Sequence, residues 1–280
     1  MDKFIKDKSF SGERPLYNTE DLTLEGVTFL EGESALKECR RIEASGCRFE
    51  GRYPFWCCSD VLVSGSEFTS ESRAPLWYSR NVRMQDCIMH GPKALREIDG
   101  ALVRSCRFPE AVETLWKCRG VDVEDSEFAG ADYFAFGSLG LRLRGVRLQG
   151  KYTFQYCRNV EIRNCILDTK DAFWESENVT VYDSIVKGEY LGWYSRGLKL
   201  VRCEISLTQP LCYATDLVLE DCTMAPSADL AFEYSSVEAT VNGRITSVKN
   251  PLTGHIRATA GYGEIILDEN LKSPGNCIIE

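Results

Sequence analysis

A period of 19 to 21 residues runs through most of the chain, and it constrains the fold more than any other feature. Coils begin near Leu22, Ile42, Val61, Val82, Ala101, Val121, Leu141, Val160, Val179, Leu198 and Leu217, with a degenerate one near Val237. The lap from Val160 to Asn178 shows the unit. Val160 and Ile162 alternate as in a strand, a step of three leads to Cys165 and Leu167, and Phe173, Ser176 and Asn178 close the lap. Period-two alternation of apolar residues is strand chemistry. The step of three marks a tight bend.

Small residues recur five positions after the coil start, as in Cys47, Ser66, Cys87, Cys106, Ser126, Cys165, Ser184, Cys203 and Cys222. A second small series falls late in the coil, as in Cys39, Cys58, Ser79, Cys118, Ser138, Cys157, Ser176 and Ser195. Two residues further on come Asp60, Asn81, Gly100, Gly120, Gly140, Asn159, Asn178, Gly197 and Asp216. Gly, Asn and Asp tolerate the left-handed backbone of a corner.

No segment carries a long helical stripe; the candidates are short, such as residues 92–99. The pattern predicts an all-β chain, a right-handed single-stranded parallel β-helix of about 11–12 coils. Right-handedness follows from the crossover preference of L-residues. Leucine-rich repeats share the period, but their consensus and helical half are missing. Pentapeptide coils fail on the second half of each lap, as at Gly51-Arg52-Tyr53-Pro54-Phe55. Residues 1–21 read as an N-terminal cap, 22–236 as the β-helix and 237–280 as a C-terminal β cap of the same single domain. Val241-Asn242-Gly243-Arg244-Ile245 has hairpin chemistry. A cap is expected because an open coil end is an exposed sheet edge.

Lys plus Arg number 33 and Asp plus Glu 42, so the formal charge is 33 − 42 = −9. That excludes a basic nucleic-acid face and an anionic-membrane surface. There is no leader-like apolar run at the N-terminus and none of the ~20 residues a membrane span needs. Ten of the 13 cysteines fall in the two small-residue series, where Ser, Ala and Val alternate with them. The slot therefore asks for a small buried group, and the thiols read as reduced ones in a cytoplasmic protein. The two histidines, His90 and His255, lie far apart. No metal site, no cofactor and no His-dependent triad is expected.

Function belongs to positions the repeat can spare. One row holds Trp77, Arg96, Trp116, Trp174 and Trp193, and its neighbour adds tyrosines and charges; both read as outward-facing. A Trp/Tyr face suits the flat apolar sides of sugars. Upstream on the same half-coil lie Lys93, Tyr133, Tyr152, Lys170 and Tyr190, expected with that row to bind substrate. Lys93, Arg96 and Lys170 suit a uronate carboxylate. Glu113 and Asp132 fall on successive coils, as do Asp171 and Glu189. Coil spacing would set such carboxylates about 5 Å apart, near the separation that retaining glycosidases use. These four are the candidate catalytic residues, with Asp171 and Glu189 first. The bland readings are a structural aromatic stack and solvated charges.

The chain also resembles a known family. Gly12-Glu13-Arg14-Pro15-Leu16, Gly32-Glu33-Ser34, Glu113-Thr114-Leu115-Trp116, Lys170-Asp171-Ala172-Phe173-Trp174, Gly188-Glu189-Tyr190-Leu191-Gly192-Trp193, Phe232-Glu233-Tyr234-Ser235 and Ser247-Val248-Lys249-Asn250-Pro251 carry the resemblance. The family is a domain-of-unknown-function family of bacterial and fungal proteins, similar to pectin-lyase-like right-handed β-helices. The resemblance implies the fold and brings no catalytic residues. The Asn-Thr-Asp, Asp-Asp and Arg-Ile-Lys signatures of polygalacturonases are missing. The expected function is binding or cleavage of a uronate-type carbohydrate along the aromatic face, by a polysaccharide lyase or glycoside hydrolase if catalytic. The alternative is an interaction scaffold whose aromatic face takes a protein partner or forms a homodimer.

Overall fold

The computed structural model describes residues 3–268 and 276–280. The chain divides into two compact units, Met1–Arg142 and Leu143–Glu280. Each is a parallel β-solenoid, and among the described residues neither contains an α-helix. The long strands of the first unit are Lys3–Lys6, Glu20–Glu25, Arg40–Ser45, Ser59–Ser64, Arg80–Gln85, Asp99–Arg104 and Arg119–Glu124. Those of the second are Arg158–Arg163, Glu177–Tyr182, Arg196–Val201, Leu217–Met224, Ser236–Val241, Thr253–Ala258 and Asn276–Ile279. Each pairs in parallel with its counterpart one lap on, as in Val160↔Val179 and Val179↔Leu198. A second, shorter sheet follows the bend, as in Leu167↔Val186.

The repeat unit maps onto the coil as its pattern predicts. Val160, Ile162, Cys165, Leu167, Phe173 and Ser176 all point inward and are at most 3% exposed. Stacked phenylalanines fill the core beneath the short strands. Phe29 and Phe49 lie 5.2 Å apart, Phe49 and Phe68 4.6 Å, and Phe108 and Phe128 4.4 Å, each pair near parallel. Both bends use left-handed backbone. The step of three turns on Gly46, Gly65, Asp86, Ser105, Asp125, Asn164, Asp183 and Arg202, all with φ between 46° and 58°. The corner after the late small series turns on Asp60, Asn81, Gly100, Asn159, Asn178 and Gly197, with φ from 52° to 76°.

The chain ends differ from the expectation. Lys3–Lys6 pairs with the next long strand, Lys3 facing Leu22, and Ser9–Glu13 pairs with Thr28–Glu33. Residues 3–21 thus form a coil of their own. Ser236–Val241 pairs in parallel with strands on both sides, and Ile245–Lys249 pairs in parallel with Tyr262–Ile266. Gly243, at φ 116°, is a corner between two sheets and not the tip of a hairpin. Coiling also beyond 22–236 brings the number of turns to about 14, above the 11–12 expected from the clear repeats.

The small-residue series do more than save space. At the late series, the Cys118 N–H donates to Ser138 Oγ (2.8 Å), and Ser138 Oγ donates to the Leu115 carbonyl (2.6 Å). Cys58 N–H, Ser79 Oγ and the Phe55 carbonyl repeat the motif at 2.9 Å for both bonds. Thiols serve the same slot: Thr19 N–H donates to Cys39 Sγ, which donates to the Leu16 carbonyl. At the other series, Cys47, Cys106 and Cys165 N–H groups each donate 3.0 Å to a serine on the next coil, Ser66, Ser126 and Ser184. A buried backbone N–H needs a partner where the chain turns out of its sheet. A hydroxyl or thiol can both accept and donate there.

All 13 cysteines lie outside disulfides, and Cys57 alone is exposed. Burial pushes the Cys39 thiol up to about 11 and those of Cys118 and Cys212 to about 12. Folded-state values raised in this way favour the neutral thiol. Their contribution to stability is complete below about pH 8.5, where the unfolded thiols are neutral, and is lost as pH rises further. Denaturation midpoints should hold to about pH 8 and fall above about pH 9. A maleimide should label Cys57 in the native protein and the ladder cysteines only in denaturant. Ser138→Ala leaves the Cys118 N–H without its acceptor and should cost about 1–3 kcal/mol in urea unfolding. Ser138→Cys should recover most of that loss.

Candidate functional site

The outward rows lie on the third side of each coil, where the backbone is least regular. In the first unit this side forms two-residue strands, with Trp56↔Trp77 and Trp77↔Arg96 in register. In the second unit alternate residues are left-handed: Tyr152, Phe154 and Tyr156, then Asp171, Phe173 and Glu175, then Tyr190, Gly192 and Tyr194. The N–H groups still pair between laps. Asp171 donates to the Glu189 carbonyl, Phe173 to the Thr153 carbonyl and Glu175 to the Trp193 carbonyl, at 2.9 to 3.0 Å. Left-handed non-glycine residues cost on the order of 1–2 kcal/mol each. The lap-to-lap bonds and the buried phenylalanines hold them there.

Rings one lap apart stack, and this decides what the aromatic row can do. In the first unit Lys37 sits 4.3 Å over Trp56, and Trp56 and Trp77 stack at 5.9 Å. Arg96 lies 5.0 Å over Trp116, which stacks on Phe136 at 4.3 Å. The flat faces of the stacked rings are turned along the ladder. The indole N–H groups of Trp56 and Trp77 are buried without a partner. In the second unit the packing is looser. Trp174 and Trp193 meet edge to face at 6.5 Å, Tyr190 meets Trp193 the same way at 5.3 Å, and Trp193 Nε1 donates to the Gln209 carbonyl (3.1 Å).

The carboxylates do not pair as their coil order suggests. Arg96 faces Trp116, a separation of 20, which aligns Glu113 with Lys93 behind it. Glu113 binds both Lys93 Nζ (2.9 Å) and Arg96 (2.6 Å). Burial disfavours its charge, but those two cations outweigh burial and hold its carboxyl below the usual range. Asp132 accepts the Glu113 N–H through its own carbonyl, so its side chain stands one position off that rung. In the second unit Asp168 faces Lys187, a separation of 19, and the same separation joins Lys170 to Glu189 in a 2.9 Å ion pair. Asp171 therefore shares its rung with Tyr152 and Tyr190.

Asp171 differs from the other three. It is 8% exposed, and among the described residues no hydrogen bond reaches its carboxylate. Burial pushes its carboxyl up; Lys170 opposes the shift and Glu189 adds to it. Lys170 also lies 5.0 Å over the Tyr190 ring. Gly188 precedes this cluster, and a Cβ on it would run into the Thr169 carbonyl oxygen. Tyr152, Lys170, Asp171, Glu189, Tyr190, Trp174 and Trp193 thus come together in the second unit. Trp77, Lys93, Arg96, Glu113, Trp116, Asp132 and Tyr133 belong to the first. The residue composition of one row concealed a further pair, Glu233 with Lys249 (2.8 Å), the glutamate being 8% exposed. Its signal was the lone carboxylate in its column.

Among the described residues no group of three His, Cys, Asp or Glu side chains could hold a metal ion, and no helix is long and apolar enough to cross a membrane. The chain matches over residues 3–280 the family described as Protein of unknown function (DUF3737), and it belongs to that family. No curated protein matches it. Among solved structures, it is similar to a surface adhesin of Streptococcus pneumoniae, with 12% identity over 92% of this chain and 72% of that one, at a TM-score of 0.41. It is also similar to a mannuronan C-5 epimerase A-module of Azotobacter vinelandii (10% identity, 99% and 88% covered, TM-score 0.32). An exopolygalacturonase of Thermotoga maritima aligns at 10% identity, 99% and 83% covered, with a TM-score of 0.27. Likeness of this size carries no correspondence between sites.

Glu113→Gln should destabilise the protein by about 1–2 kcal/mol at pH 7, since two cations lose their carboxylate. A depressed carboxyl contributes above its unfolded value and loses that contribution as pH falls through the folded one. The difference between variant and parent in urea unfolding should therefore begin to shrink as pH falls below about 4.3 and be lost only as the folded carboxyl itself takes up its proton.

Proposed function

We propose that this protein binds a carbohydrate, of uronate type, across the third side of its second unit, centred on the rung of Tyr152, Asp171 and Tyr190. The observation that carries the reading is Asp171. A carboxyl on a largely buried residue, without a hydrogen bond from the protein and shifted toward its neutral form, is costly for stability and useful as a proton donor. On the same side, Trp193 meets Trp174 and Tyr190 edge to face and is not in a parallel stack with either. Lys170 supplies a cation beside it, suited to a sugar carboxylate. Cleavage by this site would follow a glycoside hydrolase or polysaccharide lyase route, with Asp171 as acid and Glu189, tied to Lys170, as the second carboxylate. Thirteen free thiols fit a reducing compartment, and cytoplasmic residence is part of the proposal.

A second reading has its own support in the first unit. There the ladder faces are already stacked, and Tyr78, like Tyr156 and Tyr194 in the second unit, stands about half exposed at 48%, 47% and 51%. Exposed tyrosine rows suit a protein partner or a second copy of the chain.

A glycan array and a uronide-cleavage screen test the first reading. Asp171→Asn should raise the melting temperature at pH 7, by the equivalent of about 1 kcal/mol, because it removes a buried charge. A raised carboxyl costs nothing where both states are protonated, so this gain should disappear below about pH 4. Trp193→Ala should abolish glycan binding. The absence of binding and turnover across the panel, with a dimer in sedimentation that Tyr194→Lys dissociates, would favour the scaffold.

A further inference from the structure

On the other side of the first unit, the outer face of the long strands forms an open groove of about 670 Å³, within the size range of small-molecule sites. Its centre is a row of outward side chains in register: Glu43, Leu62, Arg83, Leu102 and Asp122. Rungs lie about 4.8 Å apart, so both acids stand two rungs, near 10 Å, from Arg83, with a leucine between. Asp122 is already held by Arg142 through two bonds of 2.6 and 2.7 Å. Arg41 and Arg104 on the same face are also ion-paired, to Asp21 and Glu124. Arg83 has no ion pair among the described residues.

The adjoining row supplies the opposite polarity. Asn81 donates its amide to Asp60 (2.9 Å), which leaves the Asn81 carbonyl oxygen and the second Asp60 oxygen as acceptors. The next residue in that row is Gly100. Gly100 turns the corner with a left-handed backbone, and with no side chain of its own it adds nothing beside Asn81 Oδ1. The groove therefore offers a planar cation between two leucines, with hydroxyl acceptors alongside.

We infer that this groove binds a ring-bearing hydroxy acid: the carboxylate on the Arg83 guanidinium, the ring against Leu62 and Leu102, and a ring hydroxyl donating to Asn81 or Asp60. A guanidinium takes a carboxylate through two parallel bonds, and apolar flanks strengthen the pair by removing water. Sugar acids and aromatic hydroxy acids share this chemistry. The site is separate from the Asp171 cluster and does not depend on it.

Titration calorimetry of the full chain at low ionic strength, with galacturonate and with 4-hydroxybenzoate, tests the inference and separates the two sources. At least one should bind saturably. Arg83→Gln should weaken that binding at least tenfold with an unchanged melting temperature, because Arg83 has no partner to lose. The unhydroxylated analogue, benzoate for the aromatic arm, should bind less well. Arg104→Gln, which removes an equal charge from the same face, should leave it unchanged. Saturable binding of neither acid, or equal loss in Arg83→Gln and Arg104→Gln, would overturn the proposal. Absence of glycan binding by the parent protein, with the Arg83 site intact, would overturn only the reading centred on Asp171.

Discussion

The structure depends on how the backbone is hydrogen-bonded where each lap turns a corner. A coil of 19 to 21 residues must leave its sheets within a few residues. At those points an N–H turns inward, away from water and out of the ladder. Serine and cysteine on the next lap meet it and pass a bond back to a carbonyl, as Ser138 does between Cys118 and Leu115. An unmet buried N–H costs about 1–3 kcal/mol, and a solenoid repeats its corners at every lap. The corner ladders thus let a tight coil close without losing its stability to its own turns.

Once the corners fix the lap length, every outward side chain has a neighbour about 4.8 Å away on the adjacent lap. The surface is built on that fact. Ion pairs join residues one lap apart, as in Arg48 with Glu67, Lys187 with Asp168 and Arg202 with Asp183. Rings one lap apart stack. Such pairs are each worth little in water, but they occupy the groups that take part. The places of chemical interest are those where the rung logic leaves a group over: Asp171 between two tyrosines, and Arg83 between two leucines.

Much of the coil was legible along the chain. The inward positions, the corner residues Asn159, Asn178 and Gly197, and the parallel all-β class follow from a pattern that each lap repeats, so errors at one lap are corrected by the others. Where the repeat degrades, single-lap chemistry misled. Val241-Asn242-Gly243-Arg244-Ile245 has a hairpin composition, yet its strands run parallel because neighbouring laps, not each other, offer them partners. The cysteine slots read as merely small, since accepting and donating across laps is invisible in one dimension. The carboxylate rungs were also beyond reach: a shift of one residue between laps puts Glu189 on Lys170 instead of on Asp171.

By itself, then, the sequence determined the coil, its period and which side chains line its interior, because each is set by local alternation and turn chemistry. Only the tertiary structure decided which outward groups meet. Register between laps is a matter of single residues, and a single residue separates an ion pair from a pair of acids. It also decided which groups remain unmatched. That depends on what stands one rung away on either side, some 20 residues distant in the chain.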